Sequence, residues 1–151
     1  MQTRCAGFDE LPAGRFYRRA SCAVEAKTSR HLTVPCTRCG RAAAEIALLP
    51  ATETGESMWH GRDRLERTDF LGTVVKFGTY AQLLKFFETL CRGEYAAVRT
   101  DDADFVAFYC DDCGQVYCDQ CWRVGTPVFD EGFYDYTLGT CPQGHEQIVD
   151  D

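Results

Sequence analysis

Long apolar runs are missing from this 151-residue sequence, and none approaches the roughly 20 residues that a helix needs to cross a bilayer. The first residues, MQTRCAGFDELPAGRF, also lack the apolar stretch of a secretory signal. There is no low-complexity tract and no internal repeat apart from pairs of cysteines. We therefore expect a soluble, unexported protein without a membrane partner.

Basic residues are scarce at the end of the chain. Residues 1–35 carry six basic and three acidic groups, and residues 36–100 carry nine and eight, but residues 101–151 carry one basic group against twelve acidic ones. Such a surface repels a phosphate backbone, so nucleic acid is not an expected partner of this part of the chain. The acidic groups either keep a cysteine-dense surface soluble or form an acidic docking face.

Cysteine is the abundant exception. The ten cysteines stand at positions 5, 22, 36, 39, 91, 110, 113, 118, 121 and 141, and six of them form three CxxC pairs. Disulfides would need an oxidising compartment, but no export signal is seen, and CxxC spacing is typical of metal sites. We expect metal-bound thiolates and a reducing compartment, the cytoplasm.

Each CxxC pair supplies half of a tetrahedral zinc site, because two thiolates separated by two residues can point at one ion. Cys141 and His145 form a fourth half, so the sequence predicts two zinc ions. In CDDCGQVYCDQCW, residues 110–122, four ligands within twelve positions leave little room for one relaxed site. Adjacent pairs should therefore face different ions. The predicted sets are Cys36, Cys39, Cys118 and Cys121 for one ion, and Cys110, Cys113, Cys141 and His145 for the other.

CDDCGQVYCDQC resembles the centre of a FYVE zinc finger, where CxxCG, three residues and CxxC follow in the same spacing. CGQVYCDQC also resembles the centre of RING fingers, with Gln115 at the position of a liganding histidine. Both resemblances imply a small α+β binuclear cross-brace domain of the treble-clef type. In this chain it would span residues 35–151, with a long helix-containing insertion at about 50–104 in the first loop, after an extension of uncertain order at residues 1–34.

The resemblance implies that zinc is structural and that the function is protein recognition. FYVE domains bind phosphoinositides through a basic motif, but DADFVAFYC stands there, so lipid binding is not expected. Resemblance to RING implies an adaptor or ligase in a ubiquitin-like pathway, with a conjugating enzyme as its protein partner. Trp122 is the candidate apolar contact, and Glu146 stands where RING ligases often carry arginine after the last ligand.

Other functions stay open. One alternative is an enzyme with a pocket between the insertion and the zinc module, in which His60, Asp63 or Cys91 would do the chemistry. Another is a structural subunit of a larger complex. A thioredoxin-like redox role would leave the other cysteine pairs unexplained, and an iron–sulfur cluster would need no closing histidine.

Secondary structure can be predicted at several places. PCTRCGRAAAEIALLP predicts a knuckle followed by a strand that ends at Pro50, and FLGTVVKFG predicts a second strand. TYAQLLKFFETLCRG predicts a helix with a capping box of Thr79 and Gln82, a stop at Gly93, and Cys91 on its buried face. FVAFY and QVY predict a pair of short strands around Cys110.

The remaining segments have weaker patterns. The polar residues 51–69 predict a loop or a short exposed helix, CDQCWRVG predicts a helical turn stopped by Gly125, and the residues after it predict loops. Nine of the nineteen aromatic residues fall between positions 105 and 136. Most should pack around the metals, and any that stay exposed would mark a binding surface.

Overall fold

The structure is a computed structural model that describes residues 26–53, 59 and 61–151. It is a mixed α/β domain, made mostly of strands with two α-helices. In chain order the elements are β1 (Arg30–Pro35), β2 (Ala42–Leu49), β3 (Arg64–Asp69), β4 (Gly72–Phe77), α1 (Tyr80–Cys91), α2 (Tyr95–Asp101), β5 (Tyr109–Cys110), β6 (Gln115–Val116), β7 (Arg123–Val124), β8 (Val128–Asp130), β9 (Phe133–Thr140) and β10 (Glu146–Asp150).

Strands β1 to β4 form an antiparallel meander in the order β1-β2-β3-β4. Alternate residues of β2 are buried, among them Ala44, Ile46 and Leu48, as expected for a strand with one face on a core. The predicted strand before Pro50 is confirmed by β2, and FLGTVVKFG contains β4.

Strand β3 was not predicted, because its sequence RLERTD reads as polar. Arg64 and Arg67 are each only 1% exposed, and Arg67 is paired with the buried carboxylate of Asp69. Arg67 Nη2 also donates to the carbonyl of Asp104 at 2.5 Å. The interpretation of residues 51–69 as a loop or exposed helix is wrong over β3, since ion pairing lets charged side chains occupy a core strand.

Strand β1 lies partly in the segment assigned to the N-terminal extension of uncertain order. Its residues pair antiparallel with β2, from Arg30 opposite Leu48 to Pro35 opposite Ala42. Residues 1–25 of that extension lie outside the described residues, and so do Cys5 and Cys22.

Helix α1 confirms the predicted capping. The Thr79 side chain accepts from the Gln82 backbone N–H, and the Gln82 side chain accepts from the Thr79 N–H at 3.2 Å. Gly93 follows the helix with φ +72°, in the left-handed region, and its N–H donates to the Leu90 carbonyl. The buried side is formed by Tyr80, Leu83, Phe87 and Leu90.

Cys91 corrects one prediction. The sequence places Cys91 on the buried face of the helix, but Cys91 is exposed in the structure. It is the last residue of α1.

The segment before Cys110 is buried but is only partly a strand. Phe105 and Phe108 are fully buried, and a short 3₁₀ turn at Asp104–Val106 replaces the start of the predicted strand FVAFY. Phe105 packs edge-on against Phe86 of α1, and Phe108 against Tyr95 of α2, with ring centroids 5.3 and 5.6 Å apart. The predicted return strand is confirmed by β6, which pairs with β5.

The end of the chain forms a sheet, here called the C-terminal sheet, of strands β7 to β10. Strand β9 lies in its centre and pairs antiparallel with β10, β7 and β8. The predictions of a helical turn ending at Gly125 and of loops beyond it are therefore wrong over β7 to β10. Strands β7 and β8 have only two and three residues, which is too short for a recognisable period in the sequence.

Among the described residues, no helix has the length and apolar character required to span a bilayer.

Candidate metal centres

The first group of candidate ligands joins two knuckles that are distant in sequence. Cys36 and Cys39 lie in the turn between β1 and β2, and Cys118 and Cys121 lie between β6 and β7. The first knuckle is closed by the Gly40 N–H, which donates to the Cys36 carbonyl at 2.9 Å. Gly40 has φ +74°, a conformation that favours glycine after a CxxC turn.

The four Sγ atoms of this first group lie close together. Cys36 is 3.7 Å from Cys121, Cys39 is 3.4 Å from Cys118, and Cys39 is 3.9 Å from Cys121. All four sulfurs lie within 4.8 Å of one another.

The second group joins the β5–β6 hairpin to the turn between β9 and β10. Cys110 and Cys113 come from the hairpin, and Cys141 and His145 come from the turn. His145 Nδ1 lies 3.5 Å from Cys141 Sγ and 3.9 Å from Cys110 Sγ, and Cys113 Sγ lies 4.0 Å from Cys141 Sγ. These four ligand atoms also lie within 4.8 Å of one another.

The separations fit a shared tetrahedral ion. Two thiolates about 2.3 Å from one zinc ion at tetrahedral angles are about 3.8 Å apart, close to the observed distances. A disulfide would need sulfurs about 2.05 Å apart, and all eight cysteines in the described part of the chain are free. Both groups could hold a metal ion.

The thiols in each group differ in acidity. Burial raises the pKa of Cys36, but backbone N–H groups of Cys39, Cys118 and Arg38 outweigh it and bring this pKa to about 6. Burial and contacts with neighbouring thiols raise the pKa of Cys121 to about 12. Burial likewise raises the pKa of Cys110 to about 12. Because several thiolates repel one another at this distance, full ionisation of either group requires a cation.

The two groups connect the parts of the fold. The first ties the β1–β4 meander to the segment between β6 and β7, and the second ties the β5–β6 hairpin to the C-terminal sheet. Between the two knuckles, the Thr37 N–H donates to the Val116 carbonyl at 2.8 Å. A metal ion held by each group would cross-link these short strands.

The structure places residues around the second group that were not predicted. The Tyr117 hydroxyl lies 3.3 Å from Cys113 Sγ, and burial together with this contact raises the pKa of Tyr117 to about 12. Gln147 bridges the backbone by donating to the Tyr109 carbonyl at 2.8 Å and accepting from the Asp111 N–H. Nothing in the sequence marks these residues, because their contacts depend on how hairpin and turn meet.

Trp122 is corrected by the structure. It was the candidate partner contact, but it is 4% exposed, its indole N–H donates to the Phe108 carbonyl, and its ring packs near Phe70 and Tyr117. It is a core residue that supports the knuckle of Cys121.

Asp63 and Cys91, the two candidate catalytic residues that the structure describes, share no hydrogen bond. Asp63 accepts hydrogen bonds from the N–H groups of Ala51 and Tyr80 and from Lys27 Nζ at 2.7 Å, which anchors the start of α1. Burial opposes this charge, but these hydrogen bonds lower the pKa of Asp63. Partial desolvation of the Cys91 thiol and the nearby Glu88 carboxylate raise the pKa of Cys91, the opposite of an activated nucleophile. His60 lies outside the described residues.

Comparison with known proteins gives one match. No curated protein and no solved structure matches the chain. Residues 26–151 match a family described as Domain of unknown function (DUF8328). This match spans both candidate metal centres and every described strand and helix. The chain therefore belongs to the DUF8328 family.

Proposed function

We propose that this protein is a recognition module whose fold is held by two structural zinc ions. The observation that carries the proposal is the convergence of eight ligand atoms from four distant turns into two groups of four. Sulfur-rich tetrahedral sets with one imidazole are typical of structural zinc rather than of calcium or magnesium, which prefer oxygen ligands.

A structural role is supported by the number of ligands. A catalytic zinc ion keeps one coordination position open for water, whereas each group here supplies four protein ligands. The ions would therefore stabilise the fold and do no chemistry themselves.

The order of the ligands supports a cross-brace arrangement. The first pair, Cys36 and Cys39, lies with the third, and the second pair lies with the last. The same interleaving characterises the RING and FYVE fingers that the central cysteine spacing resembles. We place the chain in this treble-clef group on spacing and ligand order, with residues at about 50–104, which contain β3, β4, α1 and α2, as an insertion in the first loop.

Protein recognition follows from what such a scaffold offers. Its ions hold short strands and turns in fixed positions, and the protein would act through the surface that these strands present. The adaptor version needs only that surface. The ligase version needs an apolar contact beside the first metal centre, and Trp122, the residue predicted for it, is buried. We therefore propose an adaptor with a protein partner.

Metal analysis tests the structural half of the proposal. Elemental analysis of the purified full chain should give two zinc ions per molecule, and strong chelation should abolish the cooperative thermal transition. A chain that contains no metal and keeps its transition after chelation would contradict it.

The recognition half has its own test. Affinity capture with the full chain, compared with chelated chain as the control, should retain a protein only in the metal-loaded state. Mixing the protein with charged conjugating enzymes should leave the rate of modifier discharge unchanged. Faster discharge would contradict the adaptor role and indicate a ligase. Failure to retain any protein would contradict the recognition function.

A further inference from the structure

Two neighbouring cavities lie between the turns that carry the candidate metal ligands. One, of about 540 Å³, is lined by Cys113 of the second group. The other, of about 450 Å³, is lined by Cys121 of the first group and Cys141 of the second. Both volumes fall in the range of ligand-binding clefts, roughly 300–1,000 Å³. We call the two cavities together the inter-knuckle groove. The residues that line both of them are Arg38, Pro142 and Gln143.

Hydrogen-bonded turns form the walls of the groove. Arg38 stands in the middle of the first CxxC turn, and Thr37 beside it holds this turn against β6. The Thr37 N–H donates to the Val116 carbonyl at 2.8 Å, and the Thr37 hydroxyl accepts from the Val116 N–H at 3.3 Å. Across the groove, the turn between β9 and β10 is closed by the Gly144 N–H, which donates to the Cys141 carbonyl at 2.9 Å. Backbone positions therefore define the shape of the groove.

The groove differs in charge from the chain around it. Residues 101–151 carry twelve acidic groups and one basic group, Arg123. Arg123 lines the groove, whereas none of the described residues that line it is acidic. Arg38 adds a second guanidinium from the other end of the described chain. Two cations therefore meet at one groove within the most acidic part of the protein.

Both guanidinium groups are available to a ligand. Arg38 and Arg123 are exposed, and neither forms an ion pair with another described residue. Arg92, which is also exposed, pairs with Glu94 beside it. An exposed arginine side chain is long and flexible, and its planar fork of N–H donors matches the two oxygens of a carboxylate. The arginines of the groove therefore favour a ligand that supplies carboxylates.

The surroundings limit the length of an anionic ligand. Asp112 and Asp119 are exposed, and each is adjacent in sequence to a residue that lines the groove, Cys113 and Gln120 respectively. A long polyanion such as a nucleic acid would extend beyond the two arginines onto this acidic surface and be repelled. A short run of carboxylates would pair with the arginines and avoid the repulsion.

We propose that the inter-knuckle groove binds a short acidic segment of a partner protein. Its carboxylates would pair with Arg38 and Arg123, and the side-chain amides of Gln115 and Gln143 would supply neutral donors to its backbone. This rests on the recognition function proposed above and names the surface and the chemistry of the partner. Basic segments are disfavoured.

A displayed library of random short peptides tests this chemistry without knowledge of the natural partner. Selection on the zinc-loaded full chain at low salt should enrich sequences with neighbouring aspartate or glutamate residues. The dissociation constant of one enriched peptide is then measured at low and high salt. Binding should weaken as salt rises, because both arginines are exposed.

Nuclear magnetic resonance locates the bound peptide. In the ¹⁵N-labelled, zinc-loaded chain, the enriched peptide should shift the backbone amide signals of Thr37, Arg38, Arg123, Gln143 and Gly144. The amide signals of α1, which lies outside the groove, should keep their positions. Shifts confined to other surfaces would overturn the proposal.

Variants test the two cations directly. Arg38→Gln and Arg123→Gln should each weaken peptide binding by about threefold to tenfold, between the effect of an exposed ion pair and that of a charge-assisted hydrogen bond. Arg123→Lys should retain part of the affinity, because lysine keeps the charge but loses the planar fork. Arg41→Gln is the matched control. Arg41 is exposed, lies two residues after Cys39 and does not line the groove, so this variant should bind like the wild type.

Zinc content separates ligand binding from a second role for the arginines. A zinc ion held by four thiolates would carry net negative charge, which nearby guanidinium groups can offset. Under the proposal, Arg38→Gln and Arg123→Gln keep the zinc content and thermal transition of the wild type. Loss of zinc together with loss of peptide binding would assign the arginines to the metal centre and overturn the proposal.

Other outcomes identify what has failed. Enrichment of basic or uncharged peptides, or equal binding by Arg123→Gln and wild type, would overturn the acidic segment while the two-zinc recognition module stands. Tighter binding of a single-stranded oligonucleotide than of the acidic peptide would assign the groove to nucleic acid and overturn the proposal. A chain that retains neither metal nor any protein partner would fail the proposed function itself.

Discussion

Cys39 and Cys118 are separated by 79 residues in the chain, yet their Sγ atoms lie 3.4 Å apart. Strands β2 to β6 and both helices lie between these two residues in sequence. A metal ion bound there would close a long loop of chain, and such closure removes conformational freedom from the unfolded state.

Replacing Cys39 should remove one of the two ions. Cys39 is exposed, so Cys39→Ser leaves no core cavity. The substitution removes one thiol ligand of the first group. Zinc content should fall from two ions per chain to about one. A structural zinc ion contributes on the order of 10 kcal/mol of binding free energy to folding, so the thermal midpoint should also fall. The control is Cys91→Ser, an exposed cysteine outside both groups, which should keep both ions; equal zinc content in the two variants would contradict the assignment.

The second centre should accept sulfur in place of imidazole. His145 supplies Nδ1 to a group that otherwise contains thiols, so His145→Cys should retain two ions, whereas His145→Ala should retain about one. Cobalt-loaded protein gives the readout, because the sulfur-to-cobalt absorption should grow when three thiolates become four. Unchanged absorption in the cobalt-loaded His145→Cys protein would show that residue 145 is not a ligand.

Gly139 should tolerate no side chain. In Gly139→Ala the added methyl group would lie 2.7 Å from Val149 Cγ1 and 3.2 Å from Trp122 Cε3, so these buried side chains would have to shift. We expect a loss of about 1–3 kcal/mol in the free energy of unfolding, measured by denaturant titration of the zinc-loaded protein. Gly78→Ala is the matched control, since its Cβ would lie 3.4 Å from Leu83, an ordinary contact. Equal stability of the two variants would argue against the observed packing of β9 on Trp122.

The buried ion pair on β3 should be costly to break. Arg67→Met leaves the carboxylate of Asp69 buried without its partner, so the free energy of unfolding should fall by about 3–5 kcal/mol. Adding Asp69→Asn should recover part of this loss, because the amide oxygen can still accept from the Leu71 N–H and carries no charge. Arg92→Met breaks an exposed pair with Glu94 and should have little effect. A double variant less stable than Arg67→Met would contradict an uncompensated charge as the cause.

Local signals were sufficient for some elements. The capping box of Thr79 and Gln82, with Gly93 after the last turn, defined α1 because these hydrogen bonds form within one helix. The CxxC pairs and the crowding of Cys110 to Cys121 also predicted the membership of the two ligand groups that the structure brings together. Their occupancy by zinc stays a prediction.

Other elements depend on contacts that no local pattern carries. Strand β3 looks polar, yet Arg67 lies in the core because it pairs with Asp69 of the same strand and donates to the carbonyl of Asp104, 37 residues away. Trp122 looked available for a partner beside Cys121, but the approach of Gly139 and Phe108 buries it. In both cases the environment of one side chain is set by residues distant in sequence.

The sequence by itself determined the ligand inventory, the helix and its ends, and the acidic character of the last third, because each follows from residue type and short spacing. Tertiary structure decided which apolar residues are core and which are surface. Trp122 is buried because strand pairing far along the chain brings Gly139 of β9 and the Phe108 carbonyl against its ring, whereas Phe129 on the three-residue strand β8 stays 62% exposed.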